Sequence, residues 1–428
     1  MDILDRKTAP APGAFTAVKY INPESHQLRN GVPVYFLEGG TQEVTRFHFI
    51  FEAGLRHSDK TFLPAATNQM LAEGTKKYSG VELAEQIDFY GSSRQAWIDH
   101  DWSGVGLTGL SKHSADVLPF IAEILNSATF PEKELSLLLN RNRQSLLINN
   151  MKVDYVCRGL FFSTLFGKNH PYGAILEEKN LNIIDRGLLL NYYNTNYKNG
   201  AMTVIVSGKP GSDTLFLLEE NFGSSAFHAP SIQQNILPAP VSSTQKNIFI
   251  EKPDAVQSAI MIGRRLFTKT HPDYFPMLIL NTVFGGYFGS RLMTNIREDK
   301  GYTYGIHSSI QSHLSEGYFR ISTKVGVDVC KPALVEIYKE LDRMKEEPIG
   351  GEELNLVRNY LYGSFLQSLD GPFGSAESFA GLLGFGLTYD YFDKYLETLQ
   401  TVTPELLMEL AQKYWNPEDF YEVVVGKM

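Results

Sequence analysis

The sequence predicts an α+β chain of two homologous domains, each a mostly antiparallel sheet with helices packed on one face. Three observations predict it. The 428 residues, 43% of them hydrophobic, exceed what one ordinary core organises and suit two. An order of elements is written twice along the chain, with a period near half its length. Within each half, strand-type alternation gives way to helix-type spacing.

The repeat is clearest at the two ends. The first half closes with Tyr197-Lys-Asn199 and then Val204-Ile-Val206-Ser-Gly208-Lys209; the second closes with Tyr414-Trp-Asn416 and then Val423-Val-Val425-Gly426-Lys427. Each is an approach segment, a β-branched strand and Gly-Lys. Upstream, Leu118, Ile121 and Leu125 recur as Leu334, Ile337 and Leu341, with the three-and-four spacing of an amphipathic helix. A proline break and a second helix follow in both halves: Pro131 with Glu134-Leu135, and Pro348 with Glu353-Leu354. Between the halves, Ala229 to Gln245 holds Pro230, Pro238, Pro240 and a Ser-Ser-Thr run, the composition of an extended linker. The expected domains are therefore residues 1–228 and 246–428, joined by 229–245. Phe47, Phe49 and Phe51 alternate with His48, Ile50 and Glu52, as in a half-buried strand. Paired strands followed by helical hairpins place helices on one face of each sheet.

Composition excludes several functions. The net charge of −9 comes from 48 acids and 39 bases without basic clusters, so nucleic acid is not an expected partner. Cys157 and Cys330 stand far apart and support neither a disulfide framework nor a thiolate metal site, which fits a reducing compartment. Met1 to Phe15 carries acids, Pro10, Pro12 and Gly13 where a signal peptide needs an apolar core, and no run of eighteen apolar residues follows. The expectation is a cytoplasmic chain without a membrane segment, unless a leader has been removed.

Several ordered motifs then converge. Asn30-Gly-Val-Pro-Val-Tyr-Phe36, Glu52-Ala-Gly-Leu-Arg56, Met70-Leu-Ala-Glu-Gly-Thr75 and His170-Pro-Tyr-Gly173 stand in order and at the spacing of known signatures. From about Leu28 to its end the chain resembles the pitrilysin, insulysin and mitochondrial processing peptidase family, in the manner of half-length bacterial chains that lack the zinc motif. The resemblance implies a half-clamshell. In that family the residues before the "M-L-F-x-G-T" stretch form H-x-x-E-H, whose histidines bind zinc while the glutamate activates the metal-bound water; a later glutamate completes the site. The corresponding positions are Ala65, Ala66, Thr67, Asn68 and Gln69. No shift of register restores the site, because no two of the ten histidines stand four apart. The helix expected to hold the last glutamate, Leu135 to Val153, contains no acid. Alanine cannot coordinate, and amides cannot serve as the anionic base. No metal is expected in this chain.

The second half keeps another family feature. Phe284-Gly285-Gly286-Tyr287-Phe288-Gly289-Ser290-Arg291-Leu292 resembles a glycine-containing turn, and Ile296-Arg297-Glu-Asp-Lys-Gly301-Tyr-Thr-Tyr304 resembles "I-R-E-x-x-G-x-x-Y". The resemblance implies that Arg297 and Tyr304 reach across the clamshell and hydrogen-bond a peptide beside the zinc. A guanidinium and a phenol can together polarise a carbonyl and stabilise an oxyanion. The plainer alternatives are a cation at a helix C-terminus and a strand aromatic. Gly301 is expected to end the helix, with Tyr304 beginning the next strand. Gly285, Gly286 and Gly289 read as close backbone approach in a tight turn, with substrate contact secondary. Gln95-Ala96-Trp97-Ile98 resembles the edge strand to which an extended substrate adds by main-chain hydrogen bonds; otherwise it is a half-buried strand. Asp99-His100-Asp101 reads as a solvated strand end, since neighbouring residues face opposite sides. His170 reads as shaping a loop, and His307 and His313 stand too far apart to chelate one ion.

The expected function is that of a non-catalytic, peptide-binding subunit of a heterodimeric zinc metallopeptidase, inactive alone, with zinc in a homologous partner that receives Arg297 and Tyr304. A homodimer is the alternative assembly for the isolated chain. Two other readings compete: a scaffold or assembly protein of the same fold, in which Arg297 and Tyr304 are structural, and an active zinc endopeptidase, which the missing donors oppose.

Overall fold

A computed structural model describes residues 15, 18–230, 237 and 239–428. The segment read for a leader lies outside the described residues except for Phe15, as do residues 231–236 and 238 of the expected linker.

Runs rich in β-branched and aromatic residues form two sheets. The first holds β1 (Glu24–Gln27), β2 (Pro33–Glu38), β3 (Val44–Phe51), β4 (Ser93–Ile98), β5 (Ser103–Leu110) and β6 (Met202–Gly208), in the order β1-β2-β6-β3-β5-β4. The second holds β7 (Asn247–Glu251), β8 (Gln257–Leu266), β9 (Thr303–Ser312), β10 (Gly317–Gly326) and β11 (Tyr421–Gly426), in the order β7-β11-β8-β10-β9. Only the β2–β6 and β7–β11 pairings are parallel. With β1 set aside, the two orders correspond strand for strand, and β4 and β9 are edges at the same end.

Seven helices position the site: α1 (Leu63–Met70), α2 (Ser114–Ser127), α3 (Glu132–Met151), α4 (Val153–Phe166), α5 (Cys330–Glu346), α6 (Gly351–Ser368) and α7 (Gly371–Leu383). Alternation along β3 sends Phe47, Phe49 and Phe51 into a core shared with Leu118, Ile121 and Leu125 of α2. In the second core, Ile260 and Ile262 of β8 meet Ile337 and Leu341 of α5. The fold class is thus the mixed α+β arrangement expected, with one addition. The opposite face of each sheet is covered by a helix from the other half. Cys157, Phe161 and Leu165 of α4 pack on Met261, Val423 and Val425 of the second sheet. Ala376 and Phe379 of α7 pack on Leu37, Ile50 and Ile205 of the first.

The two Gly-Lys pairs have a backbone cause. Gly208 and Gly426 end their strands at φ 105° and 141°. A Cβ at Gly208 would stand 2.2 Å from the Val44 carbonyl oxygen, and one at Gly426 would stand 2.5 Å from Ser258 Oγ. Only glycine fits either place. Among the described residues no helix is long and apolar enough to cross a membrane.

Candidate functional site

The corner of the first sheet that follows β3 is built by α1, whose second residue, Pro64, needs no backbone partner so early in a helix. Ala65, Asn68 and Gln69 lie on it and point to different surroundings. Asn68 is 2% exposed. Its Nδ2 donates to Tyr197 Oη at 3.1 Å, and Tyr197 Oη donates to Ser103 Oγ at 2.7 Å. Burial pushes the Tyr197 hydroxyl up to about 12, so it remains a neutral hydrogen-bonding group. Asn68 therefore joins α1 to β5 and to the segment before β6, a job that needs an amide and no metal. Gln69 is exposed and lines a cleft of about 410 Å³ between α1 and α3, with Glu73, Glu134 and Arg141. Zinc, which the resemblance implies for this fold, does not fit this corner. Ala65 offers no donor atom, the Asn68 amide is engaged in the core, and the Arg141 guanidinium lines the cleft that Gln69 faces. Among the described residues no three His, Cys, Asp or Glu side chains are grouped to hold a metal ion.

The corner that follows β8 is open. A wide helical turn, Met293–Asp299, carries Arg297; Gly301 reverses the chain at φ 65°, and β9 begins at Thr303. The Arg297 guanidinium lies 4.7 Å from the centre of the Phe288 ring, a cation–π contact that leaves its N–H groups available. Tyr304 is 92% exposed. The β9–β10 register shifts between Thr323 and Val325, so Tyr304 falls in a bulge that aims it outward. Gly305 N–H donates to Thr303 Oγ1 at 3.1 Å and fixes that bulge. The glycine turn lies against the same strand: a Cβ on Gly285 would stand 2.5 Å from Ser308 Oγ. Gly286 and Gly289 are crowded by Asn281 and by the ring of Tyr287, at 3.1 and 2.9 Å. Phe288, lifted on this turn, is what steadies Arg297.

Gln95, Ala96 and Trp97 lie on β4, the edge of the first sheet. Gln95 and Ala96 are exposed. Trp97 lies over Gly104, where a Cβ would stand 2.6 Å from the indole, so its ring covers the sheet.

One sequence expectation is corrected. Asp99-His100-Asp101 is a solvated strand end only at Asp99, for Asp101 is 5% exposed and is the polar centre between the two halves. Asp99 Oδ1 accepts the N–H groups of Asp101 and Trp102, each at 2.7 Å, turning the chain so that Asp101 points inward. There it pairs with Arg56 Nε at 3.2 Å, accepts from Tyr172 Oη at 2.9 Å, and accepts from Leu314 N of the β9–β10 turn at 3.0 Å. His170 Nδ1 accepts from Tyr172 N at 3.2 Å, so it does shape its loop. The Ala-Gly-Leu-Arg and His-Pro-Tyr-Gly motifs thus share one target. A Cβ on Gly54 would lie 2.4 Å from the Asp101 backbone, which lets Arg56 approach. Burial, then neighbouring Arg56, lowers His57 to about 4; burial, then His100 and His170, lowers His313 to about 3.

The paired sheets and exchanged helices define a two-sheet α+β chain in which, among the described residues, no metal-donor group is assembled at the α1 corner. A family model described as "Peptidase M16 inactive domain" matches residues 184–361. The "Uncharacterized zinc protease YmxG" of Bacillus subtilis is 24% identical, over 92% of this chain and 96% of that one. The "Non-peptidase homolog YmxG" of Helicobacter pylori is 25% identical, over 78% and 77%. The crystal structure of a peptidase M16 inactive domain from Pseudomonas fluorescens superposes with a TM-score of 0.84 at 20% identity, covering 95% of this chain and 98% of that one. The chain is similar to these M16 chains over most of its length, shares their fold, and lacks the zinc motif at the corresponding positions.

Proposed function

We propose that this chain is the peptide-binding, non-catalytic subunit of a heterodimeric zinc peptidase, presenting Arg297 and Tyr304 to the zinc site of a homologous partner. One observation carries the reading. Tyr304 is 92% exposed, and no hydrogen bond or ring contact among the described residues holds it, although the bulge that aims it outward is itself fixed by hydrogen bonds. A solvated phenol on a rigid strand is pre-organised to donate to something outside the chain. Arg297, steadied by Phe288, adds charged donors. Both would act on a peptide carbonyl, strengthening their hydrogen bonds as negative charge develops on its oxygen. Zinc, held by the partner, would supply the activated water. The free edge of β4 offers main-chain groups along which an extended peptide can lie.

The test is reconstitution with a homologous chain that carries H-x-x-E-H. Peptide turnover is expected to rise when this chain is added and to fall again with Arg297→Ala. Equal turnover with and without this chain would refute the reading. If Arg297→Ala and Tyr304→Phe weakened only assembly, the scaffold reading would replace it.

A further inference from the structure

We propose that β7 is a self-pairing edge, at which a second copy of this chain adds antiparallel about Phe249 and joins the two second sheets into one. The two halves of the molecule differ here. In the first sheet the outer side of β2 is covered by β1, which runs antiparallel to it. In the second sheet β7 stands beside β11 as β2 stands beside β6, and among the described residues no strand covers it. The equivalence holds residue by residue: Phe36 and Glu38 lie opposite Val206 and Gly208, and Phe249 and Glu251 lie opposite Val424 and Gly426. Phe36 is 6% exposed, and the His26 ring of β1 meets it edge-on with ring centres 5.4 Å apart. Phe249 is 42% exposed, and no ring contact or hydrogen bond among the described residues holds its side chain. An uncovered edge that shows an aromatic side chain is a template for a further strand.

The residues of β7 favour their own copy as that strand. Lys246 O accepts from Glu422 N and Lys252 N donates to Gly426 O, both towards β11, so by alternation the main-chain groups of Asn247, Phe249 and Glu251 point to the open edge. Asn247 O accepts from Gln245 Nε2 at 3.0 Å and keeps a second lone pair. A second β7 centred on Phe249 sets Phe249 opposite Phe249 and Asn247 opposite Glu251, and each of these pairs can exchange both main-chain bonds. Aromatic meets aromatic, and an amide that donates meets a carboxylate that accepts. On the other face Ile248 meets Ile250. The flanking Lys246 and Lys252 would oppose each other, but both are turned back onto their own chain: Lys246 Nζ donates to the Glu418 carbonyl, and Lys252 Nζ to Asn150 O at 2.8 Å. The neighbouring registers set Phe249 against Asn247 or Glu251, so complementarity selects the one centred on Phe249.

β7 and β9 are opposite edges of the second sheet, so pairing at β7 leaves Arg297 and Tyr304 open to a zinc-bearing partner, and either reading can fail without the other. The experiment is sedimentation equilibrium of the isolated full chain from about 1 to 100 µM, a range set by the small area that one strand pair buries. The average mass is expected to rise from one chain towards two. Phe249→Glu sets two carboxylates face to face and should weaken the dimer roughly 10-fold or more, while the urea midpoint stays put because the side chain is exposed. Register is read by cross-linking with a mild thiol oxidant, for which the native Cys157 and Cys330 are buried. Phe249→Cys should link to its own copy, since directly opposed residues of such a pair stand about 5.5 Å apart at Cα. Asn247→Cys and Glu251→Cys each lie about 14 Å from their own copy, so neither should link alone and a mixture of the two should. A chain that stays monomeric throughout that range, its edge then left to another protein's strand, would overturn the proposal, as would a dimer unchanged by Phe249→Glu.

Discussion

Two corners of this molecule follow corresponding strands, β3 and β8, in sheets of the same order, and they treat their polar side chains in opposite ways. At α1 the inward amide, Asn68, is satisfied by Tyr197 inside the core. Beside β9, Tyr304 is turned out to water and Arg297 rests on an aromatic ring. The difference teaches which residues the fold depends on. A buried polar group is part of folding, because leaving its partner unsatisfied is costly. An exposed one is already satisfied by water, and its removal costs the fold almost nothing. Substitutions should therefore separate the two corners, stability falling at one and turnover at the other.

The largest effect belongs to the polar centre between the halves. Asp101→Asn leaves the Arg56 guanidinium buried beside a neutral amide, and urea denaturation should show a loss of about 3–5 kcal/mol. The same cluster sets a pH dependence. His57 at about 4 and His313 at about 3 both lie below the ordinary histidine value, so the unfolded chain takes up protons first as pH falls. Stability is then full above about pH 6.5 and is lost as pH falls from there towards 3. The urea midpoint should drop across that window, and His313→Gln should flatten the drop.

Arg297→Ala comes next, and only in the reconstituted pair. Loss of a donor aimed at a developing oxyanion lowers turnover by about 10²- to 10³-fold, while the urea midpoint stays put. Asn68→Leu should do the reverse, costing about 1–3 kcal/mol of stability and leaving turnover near that of the unaltered pair. The smallest effect is Tyr304→Phe on stability, expected within about 0.5 kcal/mol. A large loss there would mean that the open corner is structural after all, and the comparison would break.

Much of this was legible in the sequence, for reasons that are local. Alternation in Phe47, Phe49 and Phe51 needs only its own strand to reveal a buried face. The loss of Ala65, Asn68 and Gln69 as zinc donors needs only residue chemistry. What stayed hidden depends on distant partners. Nothing beside Asp101 announces that Arg56, Tyr172 and Leu314 will enclose it. Asn68 finds Tyr197 from 129 positions away. The crossing of α4 and α7 to the opposite sheets requires both halves to be in place.

The central claim is that the α1 corner has turned from metal chemistry to internal structure. It is tested most directly by zinc analysis of the isolated chain alongside cleavage of a fluorogenic peptide. The expected result is substoichiometric zinc and no cleavage. One zinc per chain, lost together with peptide cleavage in Gln69→Ala, would contradict it.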